Sequence, residues 1–109
     1  MVYNVKTISS FEKQTKRLFK KYASLKKELL ELVKNIRIDP EIGTPIGKNC
    51  YKIRIAIASK GKGKSGGARI ITNFVISDST VYLLSIYDKS EKDNISDREL
   101  IELLSEISE

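Results

Sequence analysis

The sequence predicts one α+β domain spanning residues 1–109, in the order β-α-α-β-β-β-α, with a helical hairpin packed on a mostly antiparallel four-stranded sheet. Three observations predict it. Apolar residues recur at helical spacing twice before residue 38 and once after residue 96. Runs rich in β-branched and aromatic residues lie before and between these segments, separated by turn-forming stretches. The chain has 109 residues, 40% of them hydrophobic, which suffices for one ordinary core and not for two.

Each element has its own signal. Val2 to Ile8 is a short strand, rich in β-branched residues and bounded by serines. Ser9 opens a helix, with Glu12 three positions on to complete a capping box. Phe11, Leu18, Phe19 and Tyr22 give it a core stripe, and Lys13, Lys16, Lys20 and Lys21 lie off that stripe. Tyr22-Ala23-Ser24 allows only a tight αα-hairpin, after which Leu25, Leu29, Leu32, Val33 and Ile36 face inward from a second helix. Pro40, Gly43, Pro45 and Gly47 end that helix and read as a connecting loop. From Tyr51 to Ala58 the residues alternate, with Ile53, Ile55 and Ile57 on one face and Lys52, Arg54, Ala56 and Ala58 on the other. Arg69 to Ile76 and Val81 to Tyr87 are two further strands around a Ser77-Asp78-Ser79 turn. A last helix opens at Ser96, with a capping box to Glu99 and a staple from Ile95 to Leu100.

Composition excludes several classes of function. No apolar run approaches the ~20 residues that span a bilayer. The N-terminal residues hold no long apolar stretch and no small-residue cleavage site, so a cytoplasmic location is expected. Cys50 is the single cysteine, which forbids an intrachain disulfide and fits a reducing compartment. With no histidine and no clustered carboxylates, neither a metal site nor a cofactor is expected.

The net charge of +6 is unevenly placed. Residues 78–109 carry 3 Lys/Arg against 9 Asp/Glu, whereas the 22 residues from Lys48 to Arg69 carry seven cations and no acid. Solvated faces ordinarily mix their signs, so such a block calls for an external anion, and phosphate is the usual one. Gly63-Lys64-Ser65 tempts a P-loop reading, but the glycine required five positions earlier is Ala58, and strand rather than helix follows. The loop from Ser59 to Gly67 is then either a hairpin tip kept soluble by Lys60, Lys62 and Lys64, or a mobile set of amides and lysines that wraps a phosphate backbone. Lys52 and Arg54 project two residues apart from one strand, Arg69 opens the next, and Lys89 follows the last. Like charges opposed across a sheet repel, so a shared positive face is most simply explained as a phosphate site.

Tyr51-Lys52-Ile53-Arg54, the stretch from Gly61 to Thr72, and the run from Tyr82 through Asp88 to Lys92 resemble the RelE/ParE superfamily of bacterial toxins, nearest its HigB-like branch. The helical hairpin and terminal helix fall in matching order, so the resemblance covers nearly the whole chain and implies a RelE-like fold. It also implies a ribosome-dependent mRNA endoribonuclease of a type II toxin–antitoxin pair. Its partners would be a cognate antitoxin, the ribosome and mRNA, with DNA reached only through the antitoxin. Carried over by position, Lys52 and Arg54 would contact substrate phosphates, Arg69 would stabilise the scissile phosphate, and Lys89 would act as general acid. The residues themselves add Lys60, Lys62, Lys64 and Lys92 as substrate-binding candidates, and Tyr87 as either a base-stacking group or an amphipathic core residue. Where many relatives place a tyrosine before the last helix this chain has Ile95, so the general base falls to Tyr87, Lys92 or another lysine.

RNA is cut without metal when its 2′-hydroxyl attacks the neighbouring phosphate, which needs one proton removed, one supplied, and charge stabilised. Arginine stays charged and suits the clamping role, leaving proton transfer to lysine. Two other functions draw on the same sequence. A ParE-like inhibitor of DNA gyrase has no need for Lys52, Arg54, Arg69 and Lys89 to converge. A non-catalytic RNA-binding module would use the same face through counter-ion release.

Overall fold

The computed structural model describes residues 2–61 and 63–107. Phe11, Thr15 and Leu18 bury one stripe of a helix over Ser9–Lys21 (α1). Leu25, Leu29, Leu32 and Ile36 do the same for a second over Leu25–Ile38 (α2). The two helices form the expected hairpin. Before them lies the strand Asn4–Thr7 (β1), and after them come Thr44–Gly47 (β2), Cys50–Ile55 (β3), Ala68–Val75 (β4), Thr80–Asp88 (β5) and the helix Asp97–Leu104 (α3).

The α+β class stands, but the sheet has five strands rather than four, in the order β1-β5-β4-β3-β2. β1 runs parallel to β5, and the remaining neighbours are antiparallel. The additional strand is β2, inside the stretch 40–47 whose two prolines and two glycines suggest a loop. Proline is tolerated in an edge strand because no neighbour needs its missing N–H, and β2 is such an edge. Lys48 and Asn49, both at positive φ (56° and 60°), turn the chain from β2 into β3.

Two predicted caps fare differently. Ser96 accepts from the Glu99 N–H and Glu99 reaches back to the Ser96 N–H, so the α3 capping box forms. The one proposed at Ser9 does not: Ile8 is the N-cap of α1, and Glu12 accepts from the Thr7 hydroxyl instead. An unpaired donor of that first turn is met from far along the chain, since the Ser10 N–H donates to Glu106 Oε1 at 3.0 Å.

The core lies between the helical hairpin and one face of the sheet, with Ile53, Ile70, Leu84 and Ile86 against Phe11, Leu18, Leu25 and Ile36. β1 stops at Thr7, opposite Leu83, and leaves 84–88 without a strand neighbour on that side. Gln14 of α1 fills part of the gap by accepting from the Ile86 N–H at 2.9 Å and from the Ser85 hydroxyl at 3.1 Å. No helix is long and apolar enough to cross a membrane among the described residues.

Gly67, at the root of β4, is a tight point. A Cβ there would overlap the Ile55 carbonyl oxygen and stand 3.0 Å from the Ala56 Cα. Both are backbone atoms, so relief requires the β3–β4 hairpin to open. Gly67→Ala is expected to destabilise the fold by roughly 1–3 kcal/mol, the usual cost of overpacking, and a thermal melt checks it.

Candidate functional site

Residues directly opposite in an antiparallel pair share a sheet face. Arg54 lies opposite Arg69, and Arg69 opposite Tyr87. In the next row Lys52 lies opposite Ile71, and Ile71 opposite Ser85. Both rows project away from the helical hairpin, whose side takes the row Ile53, Ile70 and Ile86. The Lys89 N–H donates to the Gly67 carbonyl at 3.0 Å, which extends the β4–β5 ladder and returns Lys89 to the cationic side. The structure thus brings Lys52, Arg54, Arg69, Tyr87 and Lys89 to one face.

Arg54 and Arg69 as direct neighbours would repel, and their surroundings separate them. Arg54 is exposed. Arg69 is 4% exposed, and its guanidinium is held by backbone carbonyls: Nη1 donates to Lys64 at 2.8 Å and Ala68 at 3.2 Å, and Nη2 to Ser65 at 3.4 Å. Among the described residues no carboxylate forms an ion pair with it. A buried cation held by carbonyl dipoles, with the Asp93 carboxylate acting on it only at longer reach, keeps much of its charge uncompensated.

Tyr87 is buried, 5% exposed, and its hydroxyl has no hydrogen-bond partner among the described residues. Burial pushes that hydroxyl above the ordinary tyrosine range, with Arg69 pulling the other way, so it keeps its proton at neutral pH. Its buried ring offers no open surface for stacking a base. Lys92 Nζ stands 6.0 Å from the ring centroid and pairs with Glu99.

The loop lysines differ from expectation. Lys60 points to the opposite face of the sheet, where its side chain, 10% exposed, brings the ammonium to 2.5 Å from the fully buried Asp88 carboxylate. The Tyr22 hydroxyl also donates to Asp88, as do the Ser90 N–H at 2.9 Å and hydroxyl at 2.7 Å. Lys60 therefore belongs to the fold, not to a substrate contact. Lys62 lies outside the described residues. Lys64 is exposed and lines a shallow cleft with Arg54 between the edge of β3 and α2.

Two residues that the sequence reading passed over complete the site. Asp93 pairs with Lys89, and Lys52 Nζ donates to Asn94 Oδ1 at 3.4 Å. Lys89 holds the Asp93 carboxyl below the usual carboxylate range, and Lys52 and Arg69 add to this at longer reach. The only hint in sequence was the four-residue spacing of Lys89 and Asp93, which outside a helix implies nothing.

A family model described as "RelE toxin of RelE / RelB toxin-antitoxin system" matches residues 6–108. The chain belongs to the RelE toxin family. The HigB-like branch is a finer assignment than this match makes. The fold of the family is seen in solved relatives. A free variant of E. coli toxin RelE has 18% identity and a TM-score of 0.59, with 97% of this chain and 94% of that one covered. E. coli RelE in complex with a peptide of the antitoxin RelB has 18% identity and a TM-score of 0.62, covering 87% and 100%. A metal-bound toxin from Helicobacter pylori has 18% identity and a TM-score of 0.53, covering 82% and 97%. At such identities the likeness concerns the RelE fold alone.

Proposed function

We propose that this chain is a ribosome-dependent mRNA endoribonuclease and that a cognate antitoxin holds it in check. The observation that carries the reading is the convergence of Lys52, Arg54, Arg69 and Lys89 on one sheet face, with Arg54 and Arg69 in direct register. A buried arginine with no carboxylate in ion-pair contact among the described residues is suited to a phosphate.

In the proposed reaction the substrate's own 2′-oxygen bonds to phosphorus as the 5′-oxygen leaves. Lys52 and Arg54 hold the flanking phosphates, and Arg69 takes the charge that builds on the scissile one. Lys89 supplies the proton to the leaving oxygen. Tyr87, whose buried hydroxyl keeps its proton, is not the base; the 2′ proton passes to a lysine of the cationic face in its neutral form as the 2′-oxygen bonds to phosphorus. So many cations would repel a divalent ion from the same spot, which favours a metal-independent route. With Arg54 and Lys64 open to solvent and the buried Arg69 reached only from one side, free RNA is positioned poorly, which accounts for reliance on the ribosome to orient the message.

Induced expression is expected to arrest growth and to cut messages only while they are translated, as read by mapping RNA 5′ ends with and without a translation inhibitor. Relaxed plasmid supercoiling over intact mRNA would point to gyrase inhibition instead. RNA binding with no cut ends would leave only a binding module.

A further inference from the structure

The segment between β5 and α3 runs across the cationic face, and its polar groups engage the face's lysines one by one. Lys89 holds the Asp93 side chain and also donates to the Asp93 carbonyl at 3.3 Å. Lys52 donates to Asn94, and Lys92 pairs with Glu99 at the start of α3. Asp93 is the one acid here that Lys52, Arg69 and Lys89 all act upon. It sits where the strand rows focus positive charge, and its side chain is 90% exposed.

We propose that Asp93 is a specificity-determining residue that stands in for a substrate phosphate, so that RNA enters the site by displacing this carboxylate from Lys89. The inference rests on the RNA-cleaving reading and adds an internal competitor to it. The Asp93 end of the pair, 90% exposed, swings readily into water while Lys89 stays half-buried on the face. An incoming single phosphate would exchange one anion for another and gain little. A strand presenting several phosphates at once engages Lys52, Arg54 and Arg69 together, and the released counter-ions drive the exchange. Asp93 thereby biases the face toward extended polyanions and against mononucleotides and small anions.

The test measures binding of a fluorescently labelled, 2′-O-methylated RNA ten-mer, which cannot be cut through its 2′-oxygen, to the full chain at several salt concentrations. Asp93→Asn is expected to tighten binding roughly three- to tenfold at low salt, the size of one removed like charge at short range. Asp78→Asn makes the same charge change in the exposed turn before β5 and is expected to leave binding nearly unchanged. Inorganic phosphate, titrated alone, is expected to bind the Asp93→Asn chain more tightly than the unaltered one, and no gain would overturn the displacement. Equal tightening by both substitutions would reduce the effect to net charge and overturn the proposal. Weaker binding by Asp93→Asn would also overturn it, by making Asp93 a partner of the RNA rather than its rival. If the unaltered chain and both variants all fail to bind, the RNA reading itself fails and takes this inference with it.

Discussion

Asp88→Ala is expected to cost about 3–5 kcal/mol of stability, the usual penalty for breaking a buried ion pair from one side. Asp88 is fully buried, and Lys60, Tyr22 and Ser90 all direct donors at it. Without the carboxylate, the nearly buried Lys60 ammonium is left uncompensated and the Tyr22 hydroxyl loses its acceptor. The same cluster sets a pH dependence. Burial pushes the Asp88 carboxyl up, but hydrogen bonds from Lys60, Tyr22 and Ser90 outweigh it and hold the group well below the usual carboxylate range. The folded chain thus stays deprotonated where the unfolded chain, with an ordinary value of about 3.9, takes up a proton. The stabilisation is fully present above about pH 5 and is lost as pH falls below the ordinary value toward the folded one. Thermal melts at pH 7 and pH 3 should show a smaller difference for Asp88→Asn than for the unaltered chain. An equal difference would place the acid sensitivity elsewhere.

Arg69→Ala is expected to lower cleavage about 10²–10³-fold, the range for losing one charge-stabilising donor at a reacting centre. The side chain does two things at once. It places positive charge in the row between Arg54 and Tyr87, and it ties the carbonyls of Lys64 and Ser65 to the sheet. Arg69→Lys separates these effects, since lysine keeps the charge but lacks the planar fork that reaches two carbonyls. An intermediate rate for lysine, with a melting temperature near that of the alanine variant, is the expected pattern. Cleavage at the unaltered rate by a folded Arg69→Ala chain would end the proposed role of this residue.

The helices and long strands were legible in the sequence because burial there follows simple periods. Leu25, Leu29, Leu32 and Ile36 are buried as their spacing predicts, and Ile53 and Ile70 face the core as strand alternation requires. β2 was not legible, because a proline-rich segment becomes a strand only if it lies at a sheet edge, which is a property of the whole topology. The cationic rows were half legible. Alternation gave the faces of Lys52 and Arg54, but pairing Arg54 with Arg69 depends on register, which the hairpin loop between them sets. Lys60 could not be told from its neighbours by type or position. Its direction is decided by Asp88, 28 residues away, whose burial at the end of β5 has no local signal. Asp93 escaped for a similar reason, since only the path of the chain after β5 brings it to Lys89.

Gln14 has a bearing on how these molecules behave in a crowd. A strand border with bare amide and carbonyl groups invites a second copy to dock as an added strand, the first step toward swapped dimers or fibrils. The final stretch of β5 would be such a border beyond the reach of β1, but a side-chain amide from α1 already occupies it. One glutamine thus covers part of a hydrophobic strand border that a second copy would otherwise meet bare.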